Sequence, residues 1–219
     1  MDADSRDEEE RARQREMVRA GYDAISRTYR DDQGRSASSS PEFTDHYWPW
    51  VDELGALLQP GDRVLDLGCG AGVPAARLLA AAGFRVTGID ISGVQIERAR
   101  ALVPEATFMQ ADMAIWEAEP HSYEAIVTLY ALIHVPLQDQ RQLIRRMAGW
   151  LVSGGLLLAI VGLDRWTGVE DYFGTEMFWD HADTATYLSW FRDAGFEIVW
   201  ERFIPEGSGG HTLVLARVS

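Results

Sequence analysis

Lysine is missing altogether from this 219-residue chain, and cysteine occurs once, as Cys69. Without lysine there is no Schiff-base chemistry and no GK[ST] phosphate-binding lysine, so a glycine-rich loop here is not a P-loop. A lone cysteine allows no internal disulfide and suits a reducing compartment, so a cytoplasmic location is expected. Five scattered histidines with one cysteine give no zinc-ligand spacing, and no metal is expected. Positive charge is also scarce. Twenty arginines face 34 acids for a net charge of −14, which argues against nucleic acid or an anionic membrane as partner. No run of about 18 apolar residues is present to span a membrane. The charged start, "MDADSRDEEERARQRE", has no apolar core of a signal peptide.

Apolar residues make up 47% of the chain, enough for a buried core, and they alternate in type along it. Acids precede arginines at helical spacing (Asp7 and Arg11, Glu9 and Arg13), which predicts a solvated helix or frayed tail over about residues 2–20. Tyr22 and Tyr29 follow, seven apart and so on one helix face. From Arg63 onward, short strands ("RVLDLG", "RVTGID", "ATFMQAD", "EAIVTLYA", "GLLLAIVG") alternate with helical patterns. Nearly continuous Val, Ile and Leu in the strands predicts burial on both faces of a parallel sheet. Gly83 and the Gly154–Gly155 pair are expected at helix ends. The chain closes with a helix ("TATYLSWFRDAGF") and two strands joined by a Gly-rich turn, an antiparallel hairpin. The expected fold is α/β: a doubly wound, mostly parallel, seven-stranded Rossmann-like sheet with a C-terminal antiparallel hairpin and a helical, aromatic cap. Residues 1–50 read as an N-terminal helical extension and cap. Residues 51–219 read as the main domain, with an aperiodic lid insertion at about 163–182, too long to be idle.

The stretch "VLDLGCGAG", Val64 to Gly72, lies in the first strand–helix turn, where such sheets bind adenosine compounds. A dinucleotide fingerprint needs a third glycine where Val73 stands, and the following Pro74 removes a donor from the place a pyrophosphate would occupy. The run resembles motif I of the class I S-adenosylmethionine-dependent methyltransferases, in the UbiE-like small-molecule branch. "VTGIDIS", "ATFMQADM", "AIVTLYALIHV" and "GLLLAIV" follow in that family's order.

The resemblance implies S-adenosyl-L-methionine as methyl donor and S-adenosyl-L-homocysteine as product. It places Gly68, Cys69, Gly70 and Gly72 along the methionine part, with Asp66 orienting loop amides or the ammonium. Asp90 accepts from the ribose hydroxyls, and Ile91 and Gln95 pack on or bond ribose and adenine. Asp112 and the Met113 amide meet the adenine edge, and Leu129 belongs to the turn after the fourth strand. Tyr29 and Tyr22 close over the cofactor. His134 is the leading general base for a hydroxyl acceptor, with His181 and His46 as alternatives. Two aromatic segments are expected to hold an apolar or planar small molecule: Phe43, Tyr47, Trp48 and Trp50 in one, Trp166, Tyr172, Phe173, Phe178 and Trp179 in the other. O- and N-methylation both remain open, as does a homologue that binds the cofactor without methylating. An NAD-type oxidoreductase is the remaining alternative. The expected assembly is a monomer or homodimer.

Overall fold

The computed structural model describes residues 3–35, 47–207 and 209–219. Phe43 and His46, two of the expected site residues, lie outside the described residues.

The chain opens with helix α1 (Ala3–Tyr29) and α2 (Tyr47–Gly55), then alternates β1 (Arg63–Leu67), α3 (Ala75–Ala81), β2 (Arg85–Asp90), α4 (Gly93–Leu102), β3 (Thr107–Gln110) and β4 (Tyr123–Thr128). A short 3₁₀ turn (Leu132–His134) leads into α5 (Leu137–Trp150) and β5 (Leu151–Gly162). After β6 (Trp166–Tyr172) and β7 (Thr175–His181) come α6 (Thr184–Asp193), β8 (Phe196–Glu206) and β9 (Gly209–Val218). The main sheet has seven strands in the order β3-β2-β1-β4-β5-β9-β8. β1 to β5 pair in parallel, and β9 runs antiparallel to both β5 and β8. This is the doubly wound sheet with a terminal hairpin that the strand pattern predicts.

Each sheet face buries its own apolar layer. On β1, Val64 faces the layer formed with α2, α3 and α4, while Leu65 and Leu67 face the layer formed with α5 and α6. Alternation along the strand therefore sends Asp66 toward the first layer, near the carboxyl end of β1. Strand order reverses between β1 and β4, and the crevice at that switch point is where a doubly wound sheet accepts ligands.

Two local expectations change. Gly154 and Gly155 lie inside β5, not at a helix end; α5 has already stopped at Trp150. Register against β4 jumps from Tyr123↔Leu151 to Ala125↔Leu156, and Gly154 takes φ 77°, so the pair builds a bulge. The segment 163–182 is not aperiodic. Most of it is a separate two-stranded hairpin, β6–β7, with Tyr172 paired to Thr175 across a two-residue turn. Phe173 (φ 55°) and Gly174 (φ 83°) both take left-handed conformations, as a tight hairpin turn of this hand requires.

Helix α1 is not merely solvated. Val18 and Ile25 pack on Met177 and Phe178 of β7. Toward α4, the Ser26 hydroxyl donates to Gln95 Oε1 (2.8 Å), and buried Arg98 donates to the Ser26 and Arg30 carbonyls. Midway along the helix, Arg15 pairs with Asp112 and Asp139, each at 3.0 Å.

Candidate active site

A cleft of about 950 Å³, its mouth included, opens at the switch point beneath α1. Volumes of this order suit small-molecule sites. Every residue the sequence assigns to cofactor binding lines it, except Gly72. A Cβ on Gly72 would meet Phe108 at 3.0 Å and Val103 at 3.2 Å, so this glycine lets the loop pack against α4 and β3.

The loop glycines Gly68 and Gly70 do different things. Gly68 (φ 76°) has Ala131 pressed against it: an added Cβ would stand 2.1 Å from the Ala131 Cβ. At Gly70 (φ 54°) an added Cβ would enter open cleft, with Gln95 Nε2 the nearest atom at 3.9 Å. Space where a side chain would stand is what close approach of a ligand to backbone needs. Cys69 is buried beside Gly70, and burial pushes its thiol well up, which makes it a filling residue rather than a nucleophile.

Two buried carboxylates dominate the electrostatics. Asp90 accepts from the Gly70 and Ser92 amides, both at 2.9 Å, so it closes the loop of β1 onto the end of β2. Burial nevertheless pushes its pKa up to about 6. Asp66 is pushed up to about 7, first by burial and then by Asp90. Its buried Oδ2 has no hydrogen-bond partner, an orphan that a ligand cation would satisfy. Asp112 sits at the other end of the cleft. One of its oxygens accepts from the Ala114 amide and the other meets Arg15 Nε at 3.0 Å. Burial raises its pKa.

Helix α1 forms the roof. Tyr22 and Tyr29 lie edge to face, with ring centres 5.6 Å apart. Beyond them stands Arg30, buried, whose guanidinium bonds the Val73 carbonyl and the Tyr29 and Tyr47 hydroxyls and lies over both rings. None of those partners is a carboxylate. Arg15, Arg30 and Tyr130 all line the cleft, and sequence reasoning missed them. For Arg15 the signal was there, because 15, 22 and 29 repeat at seven and share the face that carries the two tyrosines.

His134 is in the cleft wall, but it is not poised as a free base. Its Nδ1–H donates to the Phe178 carbonyl (2.8 Å), and its Nε2 accepts from the Tyr22 hydroxyl (2.9 Å). Burial lowers its pKa to about 4, so it is neutral at ordinary pH. His181 is outside the cleft wall and donates through Nδ1 to the Asp164 carbonyl (2.7 Å).

The aromatic segments divide. Tyr47 lines the cleft and packs on Trp50, which is buried behind it. Tyr172 stacks near Tyr29 (5.8 Å) and Phe173 lies beside both. Phe178 is buried in the contact between α1 and β7, and Trp179 stacks on His134 at 4.1 Å. Trp166 and Trp48 are exposed and away from the cleft, because β6 turns its outer face to solvent and Trp48 leaves the buried face of α2.

Among the described residues no helix is long and apolar enough to cross a membrane, and no cluster of His, Cys, Asp or Glu is placed to hold a metal ion.

Comparison with known proteins bears on this arrangement. Residues 64–155 match the family described as "Methyltransferase domain". An uncharacterized methyltransferase of Synechocystis sp. is 32% identical over 165 residues, which span 69% of this chain and 74% of that protein. The 27-O-demethylrifamycin SV methyltransferase of Amycolatopsis mediterranei is 39% identical over 115 residues, 49% of this chain and 42% of that protein. The chain spans only 38% to 58% of the length of three such curated relatives. In fold, the magnesium protoporphyrin IX methyltransferase of Synechocystis PCC 6803, solved with bound S-adenosylhomocysteine, superposes with a TM-score of 0.71 at 22% identity, covering 94% of this chain and all of that one. With the glycine loop, the paired aspartates and the seven-stranded sheet already in place, these matches assign the chain to the class I S-adenosylmethionine-dependent methyltransferases.

Proposed function

We propose that the chain transfers the methyl group of S-adenosylmethionine to a small-molecule acceptor held between α1, the β6–β7 hairpin and the turn after β4. The observation that carries this reading is the convergence of Asp66, Asp90, Asp112 and the open backbone at Gly70 on one cleft roofed by Tyr22 and Tyr29. These residues fit the cofactor: the orphaned Asp66 Oδ2 suits its ammonium, and Arg30, with no carboxylate among its hydrogen-bond partners, suits its carboxylate. Asp90 takes the ribose hydroxyls on its remaining lone pairs. Asp112 and the Met113 amide take the adenine edge, while Ile91, Gln95 and Leu129 pack around it.

Bound there, the cofactor supplies an electrophilic methyl group on a cationic sulfur. Positive charge disappears in the transition state, so the protein's part is alignment and exclusion of water rather than an oxyanion hole. Tyr22, fixed by His134, and Tyr29 hold the roof in register. Tyr47 and Tyr172, with Phe173 and Trp179 behind, give the acceptor side an aromatic character suited to a planar or apolar molecule. Residues 1–50 act as the cap of a methyltransferase domain, 51–219, into which the segment at about 163–182 is inserted.

Titration calorimetry tests the cofactor half of this reading. S-adenosylhomocysteine binds and NAD does not at sub-millimolar concentration. A thermal shift with NAD and none with S-adenosylhomocysteine would overturn it.

A further inference from the structure

If the acceptor is a hydroxyl, something must take its proton. His134 is the obvious group by position, but both its ring nitrogens are committed and its burial keeps it neutral. A second chain of polar groups reaches the same cleft from the other side. Tyr130, in the turn after β4, lines the cleft and donates its hydroxyl proton to Glu206 Oε1. Glu206 ends β8, and its Oε2 is 3.1 Å from His211 Nδ1 on β9. The His211 ring stands edge-on to Tyr130 at 5.3 Å. Tyr130 also sits 6.3 Å from the Tyr47 ring, within the aromatic wall.

Two features mark this chain as more than packing. Tyr130 holds φ 61°, a left-handed conformation that a bulky residue rarely adopts and that clusters at functional sites. Glu206 and His211 side chains are 26% and 18% exposed, so the carboxylate faces the cleft wall on one side and water on the other.

We propose that Tyr130, backed by Glu206 and His211, is the proton-accepting group for an acceptor hydroxyl carried on a planar ring. This rests on the methyl-transfer reading above. The acceptor O–H gives its proton to Tyr130 Oη as the Tyr130 proton passes to Glu206. The acceptor oxygen's electron pair forms the new O–C bond, and the pair of the broken C–S bond stays on sulfur. A sulfonium and a carboxylate thus become a thioether and a carboxylic acid, and the proton leaves through the exposed edge of Glu206. Tyr130 touches the acceptor and is the catalytic residue. Glu206 acts through it, and the His211 N–H positions the carboxylate. The titratable groups around Glu206 are Tyr130, His211, Tyr172 and, beyond His211 at 6.3 Å, His181.

The test uses the whole chain, S-adenosylmethionine, and two probes, catechol and 4-nitrocatechol, the second already largely ionised near neutral pH. Glu206→Gln is expected to lower kcat on catechol by roughly tenfold or more, with KM little changed, and to spare 4-nitrocatechol. Glu206→Asp restores part of the rate, and Tyr130→Phe behaves like Glu206→Gln. S-adenosylhomocysteine affinity stays at the wild-type value in each variant, and His211→Asn is the second probe of the carboxylate's placement. Equal losses on both probes, no loss on either, or no methylation of either phenol by a chain that binds S-adenosylhomocysteine overturns the proposal. Loss of S-adenosylhomocysteine binding in both Glu206→Gln and His211→Asn shows a purely structural role and also overturns it. Absence of S-adenosylhomocysteine binding in the wild-type chain is a different result, and it sinks the methyl-transfer reading itself.

Discussion

With the proposed cofactor contacts at two buried aspartates of raised pKa, cofactor affinity is expected to depend on pH in a calculable way. Asp66 is pushed up to about 7 and Asp90 to about 6, both first by burial. A cofactor ammonium at Asp66 and ribose hydroxyls at Asp90 favour the ionised carboxylates. Binding at low pH must therefore expel protons that the empty site holds. Taking the two groups as independent, moving from pH 8 to pH 5 weakens binding by about 100-fold through Asp66 and about tenfold through Asp90, or ~4 kcal/mol together. The same shifts act on stability with the opposite dependence. The folded chain holds these protons more tightly than the unfolded one, so their contribution favours folding at low pH and is lost as pH rises through about 4 to 7. The melting temperature without cofactor is then expected to fall across that window, and the increment from S-adenosylhomocysteine to grow. Calorimetry in buffers of different ionisation enthalpy counts the released protons directly. Asp66→Asn is expected to flatten the affinity profile by about one proton between pH 5 and pH 7. An affinity for S-adenosylhomocysteine that is constant from pH 5 to pH 8, with no proton release, refutes the assignment of these two groups.

Three further outcomes follow from particular contacts. Asp90→Ala removes the acceptor for the Gly70 and Ser92 amides as well as the proposed ribose contact, so cofactor affinity is expected to fall by roughly 1–3 kcal/mol, read by calorimetry on a variant whose circular dichroism is unchanged. Gly68→Ala forces a Cβ to 2.1 Å from the Ala131 Cβ at φ 76°, and is expected to cost about 2 kcal/mol or more of stability, measured by denaturant unfolding; a wild-type midpoint would show that the loop is not so constrained. His134→Ala strips the acceptor from the Tyr22 hydroxyl, so S-adenosylhomocysteine affinity is expected to fall along with turnover; a loss of turnover alone, with affinity intact, would restore His134 as a free base.

What the sequence disclosed depended on whether a residue's role is carried by local pattern or by orientation in space. The central strands β1, β4 and β5 announce themselves because strands buried on both faces must be nearly continuously apolar, whereas the edge strands β3 and β8 are largely exposed. The β6–β7 hairpin hides because β6 faces solvent with Trp166 and Val169 exposed, and because its turn places Phe173, not Asn or Asp, at a positive φ. The residues proposed for the cofactor were found as cleft-lining positions because spacing along β1, β2 and β3 fixes where the carboxyl ends of the strands lie. Gly72 looked identical to its neighbours, yet its missing Cβ serves packing on α4. His134 was legible as a position but not as a state. Only the distances to Phe178 and Tyr22 show which nitrogen carries the proton and where the lone pair points.

The same contacts bear on how the two halves of the site are coupled. Tyr22 joins His134, which is anchored to the Phe178 carbonyl of β7, so the roof helix and the β6–β7 hairpin are fixed to each other through one imidazole. Arg15 ties that helix to Asp112 at the proposed adenine end, and Arg30, directly after the helix, bonds Tyr47 on the proposed acceptor side. A ligand that competes with Arg15 for Asp112 therefore acts on an element that also borders the proposed acceptor wall. Arg15 and Tyr22 lie on one face of α1, and Arg30 follows directly on its last residue, Tyr29. The proposed cofactor and acceptor sites therefore share α1, and a reciprocal effect of each ligand on the other's affinity is the expected outcome, read by calorimetry with and without S-adenosylhomocysteine; independent affinities would refute it.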